Sequence, residues 1–241
     1  MDADLAFALE LADVADAVAL PRFRAVDLRV ETKPDLTPVT DADRAVERAL
    51  RERIAAARPG DGVFGEEEGG GGDGSVRWIL DPIDGTRNFS RGIPVWATLI
   101  ALEREGAPTV GVVSAPALGR RWWAARGAGA FASGTAIRVS AVGSLREAAV
   151  SCSQAGDLAA FEPRVWHARG LGDFWQHMLV AEGALDAAVD APLAPWDYAA
   201  VAVIVEEAGG RASAPNGDEP RPGEQVVTSN GLLHDEVLAL L

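Results

Sequence analysis

Residues 77–89, RWILDPIDGTRNF, constrain the fold more than any other stretch of the chain. Trp78, Ile79 and Leu80 read as a buried strand running straight into Asp81, with Asp84 three residues later and Gly85-Thr86 behind it. A carboxylate at the carboxyl end of a strand points into the crevice where α/β proteins bind ligands. Pro82 and Gly85 predict a tight turn that lets both carboxylates and the Ile83 carbonyl converge. Gly85 and Thr86 would then open a helix or turn whose leading N–H groups favour an anion. Hard oxygen donors of this kind select Mg²⁺ or Ca²⁺ over zinc. Taken singly, the same residues are also ordinary: Asp before Pro is a common turn, and Asp84 or Thr86 could cap a helix.

The flanking sequence predicts alternating helices and strands. Leu5, Leu9, Ala12, Val18 and Ala19 sit near helical spacing until Pro21. RVETKPDLTPVT is turn-rich and extended, and Thr40 with Asp43 forms a capping-box pattern before a second helix buried through Val46, Leu50 and Ile54. GVFG is a short strand, followed by EEEGGGGDGS, an acidic, glycine-rich loop that cannot build a core. Val95 to Leu102, Thr109 to Ser114, Arg121 to Ala125 and Val150 to Ser153 read as further strands. A helix starts near Asp173, and AAVD is a strand ending at Asp190. PWDYAAVAVIVEEAGG is a helix with Asp197 at its start, a stripe of Val201, Ile204, Val205 and Ala208, and Gly209-Gly210 as its stop. QVVTSN and HDEVLALL give a last strand and helix, no repeat is visible, and a composition boundary falls near residue 140.

Composition narrows the partners. The 241 residues, 48% hydrophobic, suit one large domain or two small ones sharing an interface. The formal net charge of −14 disfavours nucleic acid and anionic membrane. It also makes an anionic substrate unwelcome unless metal cations invert the local field. Cys152 stands alone, so no internal disulfide forms, which fits a reducing cytoplasm. MDADLAFALE lacks the basic region of a signal peptide, and no apolar run approaches the roughly 20 residues of a membrane span. A soluble, cytoplasmic protein is expected. No G-x-x-x-x-G-K-[ST], G-x-G-x-x-G after a strand or G-x-S-x-G occurs. His167, His177 and His234 are scattered and burial is the default for a lone Cys, so neither a zinc cluster nor a Cys–His nucleophile is favoured.

TPVTDAD, GEE, WILDPIDGT, and PWD leading an apolar helix that ends in EAGG follow one another in this order. Together they resemble the inositol monophosphatase family of Mg²⁺-dependent phosphatases, over nearly the whole chain from Lys33 onward. The resemblance implies the layered αβαβα sandwich of the sugar-phosphatase superfamily. Residues 1–140 would be an α+β part carrying most metal ligands, and residues 141–241 an α/β part supplying Asp197 and substrate contacts. Two Mg²⁺ ions are implied, bridged by Asp81. One would also take Glu66 and the Ile83 carbonyl, the other Asp84 and Asp197, with a third, weaker ion near Glu66 within the family's range. Glu67 would be a supporting carboxylate. Thr86, paired with Asp41, matches the family's water-orienting couple, although Asp41 is locally also a favourable charge in a helix's first turn. Gly85 and Thr86 would bind the phosphate, and Lys33 matches a basic residue on a loop approaching the site. A homodimer is the implied assembly.

RGIPVWATLIAL, GVVSAPALGRRWWAARGAGAF, GDFWQHMLVAEGALD and SNGLLHDEVL are similar to the histidinol-phosphatase branch of that family. Asp173 and Asp190 would be substrate contacts suited to a cationic alcohol such as histidinol, whereas a neutral polyol has no need of that charge. Asp173 could equally cap its helix, and Trp175 is core or a stacking surface. The expectation is Mg²⁺-dependent hydrolysis of L-histidinol phosphate, in histidine biosynthesis, by attack of a metal-activated water. The alternatives are an inositol-1-phosphate, sugar or nucleotide phosphatase and, in another class, a non-catalytic metal- or phosphate-binding regulator. The third Glu of GEEE, its glycine-rich tail and the short segment between Cys152 and His167 depart from the family's pattern.

Overall fold

The computed structural model describes residues 3–34, 36–70 and 75–241, so most of the glycine-rich tail after GEEE lies outside the described residues. In chain order the elements are α1 (Ala3–Ala19), β1 (Val30–Thr32), β2 (Pro38–Thr40), α2 (Asp41–Ala57), β3 (Gly62–Gly65), β4 (Val76–Asp84) and α3 (Thr86–Ser90). Then come β5 (Ala97–Arg104), β6 (Ala107–Ala115), β7 (Arg120–Ala125), β8 (Ala130–Ala132) and β9 (Thr135–Ile137). The chain ends with β10 (Ala149–Cys152), α4 (Ala155–Phe161), β11 (His167–Arg169), α5 (Asp173–Ala181), β12 (Ala187–Leu193), α6 (Pro195–Glu207), β13 (Arg211–Ser213), β14 (Glu224–Ser229) and α7 (His234–Leu238). None of these helices is long and apolar enough to cross a membrane.

Among the described residues, β3 to β9 form a seven-stranded sheet in sequence order, antiparallel except for the β3–β4 pair. A five-stranded mixed sheet runs β11-β10-β12-β14-β13, and β1 and β2 pair as a small hairpin. Alternation along each strand fixes what covers each face. Trp78, Leu80, Ile100 and Leu102 turn to α1 and α2, whose Leu11, Val46 and Leu50 complete that core. Ile79, Leu99, Ala101 and Trp122 turn the other way, against Phe174 and Met178 of α5 and Val201 and Ile204 of α6. Ala149 and Ala188 of the second sheet close that layer, while Val150, Cys152, Val189 and Val227 face Phe161 of α4 and Val237 of α7. The result is the expected αβαβα order. The expected boundary near residue 140 is where the chain leaves one sheet for the other, yet one continuous core joins both sheets through α5 and α6. Because α6 is covered on both sides, it is apolar nearly all round rather than along the expected single stripe, burying Ala199, Ala200 and Val203 as well.

Two strands run past their expected ends, and both overruns shape the site. β4 does not stop at Leu80 but continues to Asp84 through a bulge, with Asp81 opposite Leu99 and Asp84 opposite Ala97. β12 likewise passes Asp190 through a register shift before Pro192.

Candidate active site

In a regular strand residues three apart face opposite sides, so Asp81 and Asp84 could not converge. The extra residue in β4 removes that obstacle, and the Pro82 that lacks a ladder donor sits where bulges tolerate it. Thr98 Oγ1 donates to the Pro82 carbonyl at 2.8 Å and Ile83 N–H to Asp81 Oδ1 at 3.0 Å, which pins the bulge. The expected tight turn is thus a bulged strand, with the reversal delayed to Gly85 at φ 80°, in the left-handed region.

Asp197 arrives from the other end of the chain. It is the third residue of α6, not its cap, and its Oδ2 accepts the Ala194 N–H at 2.7 Å. Single carboxylate oxygens of Asp81, Asp84 and Asp197 lie within 4.8 Å of one another. Burial, then the charges of Glu66, Asp84 and Asp197, push Asp81 well above the ordinary carboxylate range. Burial and the nearby Asp173 do the same to Asp84, and burial raises Asp197 to about 7. Such crowding is unfavourable for the bare anions, and hard divalent cations relieve it. Asp84 also accepts the Phe174 N–H at 2.6 Å, so this acid is the anion at the start of α5.

Glu66 stands at the edge of the cluster. Its charge is felt at Asp81 and Asp197, but its Oε1 accepts from Lys33 Nζ at 2.9 Å, and Lys33 reaches Glu67 Oε1 at 2.6 Å. Lys33 therefore sits on the two glutamates rather than reaching into the cavity, because two carboxylates outbid open solvent for one ammonium. The turn carrying these glutamates is held by Glu47, a fully buried residue of α2 absent from the expected site. Glu47 accepts the N–H groups of Glu67 at 2.7 Å and Glu68 at 3.0 Å, and Arg51 Nε at 2.8 Å. Residue 65 must be glycine here, since a Cβ would come within 2.4 Å of the Glu47 carboxylate. Glu47 follows Asp43 and Val46 on the buried face of α2, so an acid in an apolar stripe was its sequence signal.

Thr86 Oγ1 lies 3.0 Å from Asp43 Oδ1 and 2.9 Å from the Ile83 carbonyl. The partner of Thr86 is thus Asp43, not Asp41. As the first residue of α2, Asp41 points away and pairs with Arg22 at 2.9 Å. Asp43, at the third position, is turned inward by the capping box, its Oδ2 accepting from the Thr40 N–H at 2.8 Å and from the Thr40 hydroxyl. Burial raises the pKa of Asp43.

A cavity of about 800 Å³ opens beside these groups, bordered by Glu66, Gly85, Thr86, Asp173, Asp190 and Asp197. Asp173 is the first residue of α5, where Gly172 takes the cap position, and Asn88 Nδ2 donates to its Oδ2 at 3.1 Å. Burial and the charge of Asp190 raise Asp173 to about 6. Burial alone would raise Asp190 too, but hydrogen bonds from His177, Ser153 and the Ala191 N–H hold it below the ordinary value. Trp175 packs against Trp122 and Phe174 in the core.

The profile of the family described as "Inositol monophosphatase family" matches residues 1–241. A histidinol-phosphatase of Mycobacterium tuberculosis is 53% identical, covering 99% of this chain and 97% of that protein. One from Streptomyces coelicolor is 49% identical, covering 99% and 96%. The solved structure of the IMPase from Thermotoga maritima superposes with a TM-score of 0.90 at 35% identity, covering 98% of this chain and 96% of that one.

Proposed function

We propose, from the premise that this chain belongs to the inositol monophosphatase family, that it is a phosphoric monoester hydrolase releasing phosphate from L-histidinol phosphate. The observation that carries the substrate assignment is the pair Asp173 and Asp190, bordering the same cavity as the metal-type carboxylates. Two acids there match a protonated amine on the leaving alcohol and offer nothing particular to a neutral polyol.

The donor set fits Mg²⁺: carboxylate oxygens converge, and burial has raised the cost of leaving them bare. Asp81, Asp84 and Asp197, with Glu66 and the Ile83 carbonyl, would hold two ions, and Glu66 has a free role in a third only if Lys33 yields. Bound Mg²⁺ neutralises phosphate charge and lowers the pKa of a water. The remaining work falls to the chain. Thr86 has one hydroxyl proton for two acceptors, Asp43 and the Ile83 carbonyl. Given to Asp43, it leaves the carbonyl free and presents an Oγ1 lone pair that orients a water proton, with Asp43 the carboxylate at the end of the relay. The Gly85 and Thr86 N–H groups, at the first turn of α3, would be offered to the phosphate. Glu67 and Lys33 steady Glu66. The enzyme is assigned to the cytoplasm and to histidine biosynthesis on the same reading.

The test is phosphate release from histidinol phosphate, inositol 1-phosphate and adenosine 3′,5′-bisphosphate, with and without Mg²⁺. Mg²⁺-dependent turnover with the highest kcat/KM for histidinol phosphate is expected. A preference for inositol phosphate would sink the substrate assignment, and no hydrolysis of any ester would sink the activity.

A further inference from the structure

Asp190 owes its position to a residue the catalytic account leaves unused. His177 lies one helical turn after Asp173 on α5 and is 1% exposed. Its Nε2 is 3.2 Å from Asp190 Oδ2, and its Nδ1 is 2.8 Å from Thr228 Oγ1 on β14. The other Asp190 oxygen, Oδ1, accepts the Ala191 N–H at 2.8 Å at the register shift of β12. Both carboxylate oxygens are therefore occupied from the protein side, which removes the rotational freedom an acid on a cavity wall would otherwise have. Asp190, an acceptor only, calls for the proton on Nε2, and the Thr228 hydroxyl, able to donate or accept, satisfies Nδ1 in turn.

We propose that His177, fixed by Thr228, is a positioning residue that sets selectivity for phosphate esters of cationic alcohols by holding Asp190 as an acceptor-only carboxylate at the cavity wall. This rests on the substrate reading above. Neither His177 nor Thr228 borders the cavity, so they act through Asp190 and not on the substrate. Among the described residues Asp190 makes no hydrogen bond to the three-carboxylate cluster; its charge reaches Asp84 and Asp197, but a change at His177 leaves that charge on the cavity wall and the phosphate end of the site in place. A His177 effect should accordingly fall on the alcohol end of the ester alone. A residue needed only for packing would weaken every substrate alike.

The experiment compares kcat and KM for histidinol phosphate and for inositol 1-phosphate, at saturating Mg²⁺, in the wild type, His177→Gln, His177→Leu and Thr228→Val. His177→Leu is expected to raise KM for histidinol phosphate about tenfold, the cost of one misplaced charge-assisted contact. Its KM for the neutral ester should stay within about threefold by the same argument. His177→Gln, which keeps an N–H donor, should recover part of the loss. Thr228→Val should shift the ratio in the same direction by less, and as a near-isosteric change it serves if His177→Leu does not fold. Equal losses on both esters, or a kcat loss without a KM change, would overturn the assignment while leaving the substrate reading intact. A wild type with no preference for histidinol phosphate would overturn the substrate reading, and this inference with it.

Discussion

Thr86 and Asp43 share one proton position 3.0 Å apart, and exchanging either should disable the other. Thr86→Val and Asp43→Asn are each expected to lower kcat about 10–100-fold, with the double variant little worse than either single one. Asp41→Asn, which changes the side chain that pairs with Arg22, should leave kcat nearly unchanged in the same assay. Asp84→Asn removes a cluster ligand and the anion facing the Phe174 N–H, so Mg²⁺-dependent phosphate release should fall by at least about 100-fold. The raised acids make a pH prediction. Burial raises Asp197 to about 7 and Asp173 to about 6 in the folded chain, above the ordinary 3.8. A raised carboxylate contributes stability that is present below its unfolded pKa and lost as pH climbs through the folded one. Chelator-treated protein should therefore melt at a lower temperature at pH 8 than at pH 5. The Tm gain on adding Mg²⁺, which binds the ionised form, should be larger at pH 8.

At the scale of elements, α2 holds the first part of the site at two points, Thr40 at its cap and Glu47 two turns in. Thr40→Ala should cost about 1 kcal/mol, or about 2–4 °C in Tm for a chain of this size, and should also slow turnover because Asp43 loses its restraint. Glu47→Gln leaves the Glu67 or Glu68 N–H poorly matched and Arg51 with only the longer Glu68 pair, at 3.6 Å. Calorimetry should show a loss of about 1–3 kcal/mol in stability and a weaker Mg²⁺ isotherm. The bulge in β4 is the other working element, bringing Asp84 round to the side of Asp81 where a regular pleat would turn it away.

For the molecule as a whole, a chain with a formal charge of −14 is a poor host for a phosphate ester until cations are bound. Exhaustive chelation should abolish both turnover and competition by inorganic phosphate, and Mg²⁺ should restore both. Light scattering should give a particle of twice the 25.2 kDa chain, the homodimer the family resemblance implies. The order of motifs, the alternation of strands and the capping box at Thr40-Asp43 were legible in the sequence because each depends on residues a few positions apart. So were the acids Asp81, Asp84 and Asp197, whose convergence within 4.8 Å follows from a fold those patterns specify. What needed the tertiary structure was every choice between neighbours. Asp43 rather than Asp41 meets Thr86 because helical phase, set by burial of Val46 and Leu50, turns position three inward and position one out. Glu47 beneath the glutamate turn and His177 behind Asp190 join residues 20 and 13 positions apart. No local preference encodes such pairs; the packing of α2 on the outer face of the first sheet makes the one, and the packing of two sheets around α5 and α6 makes the other.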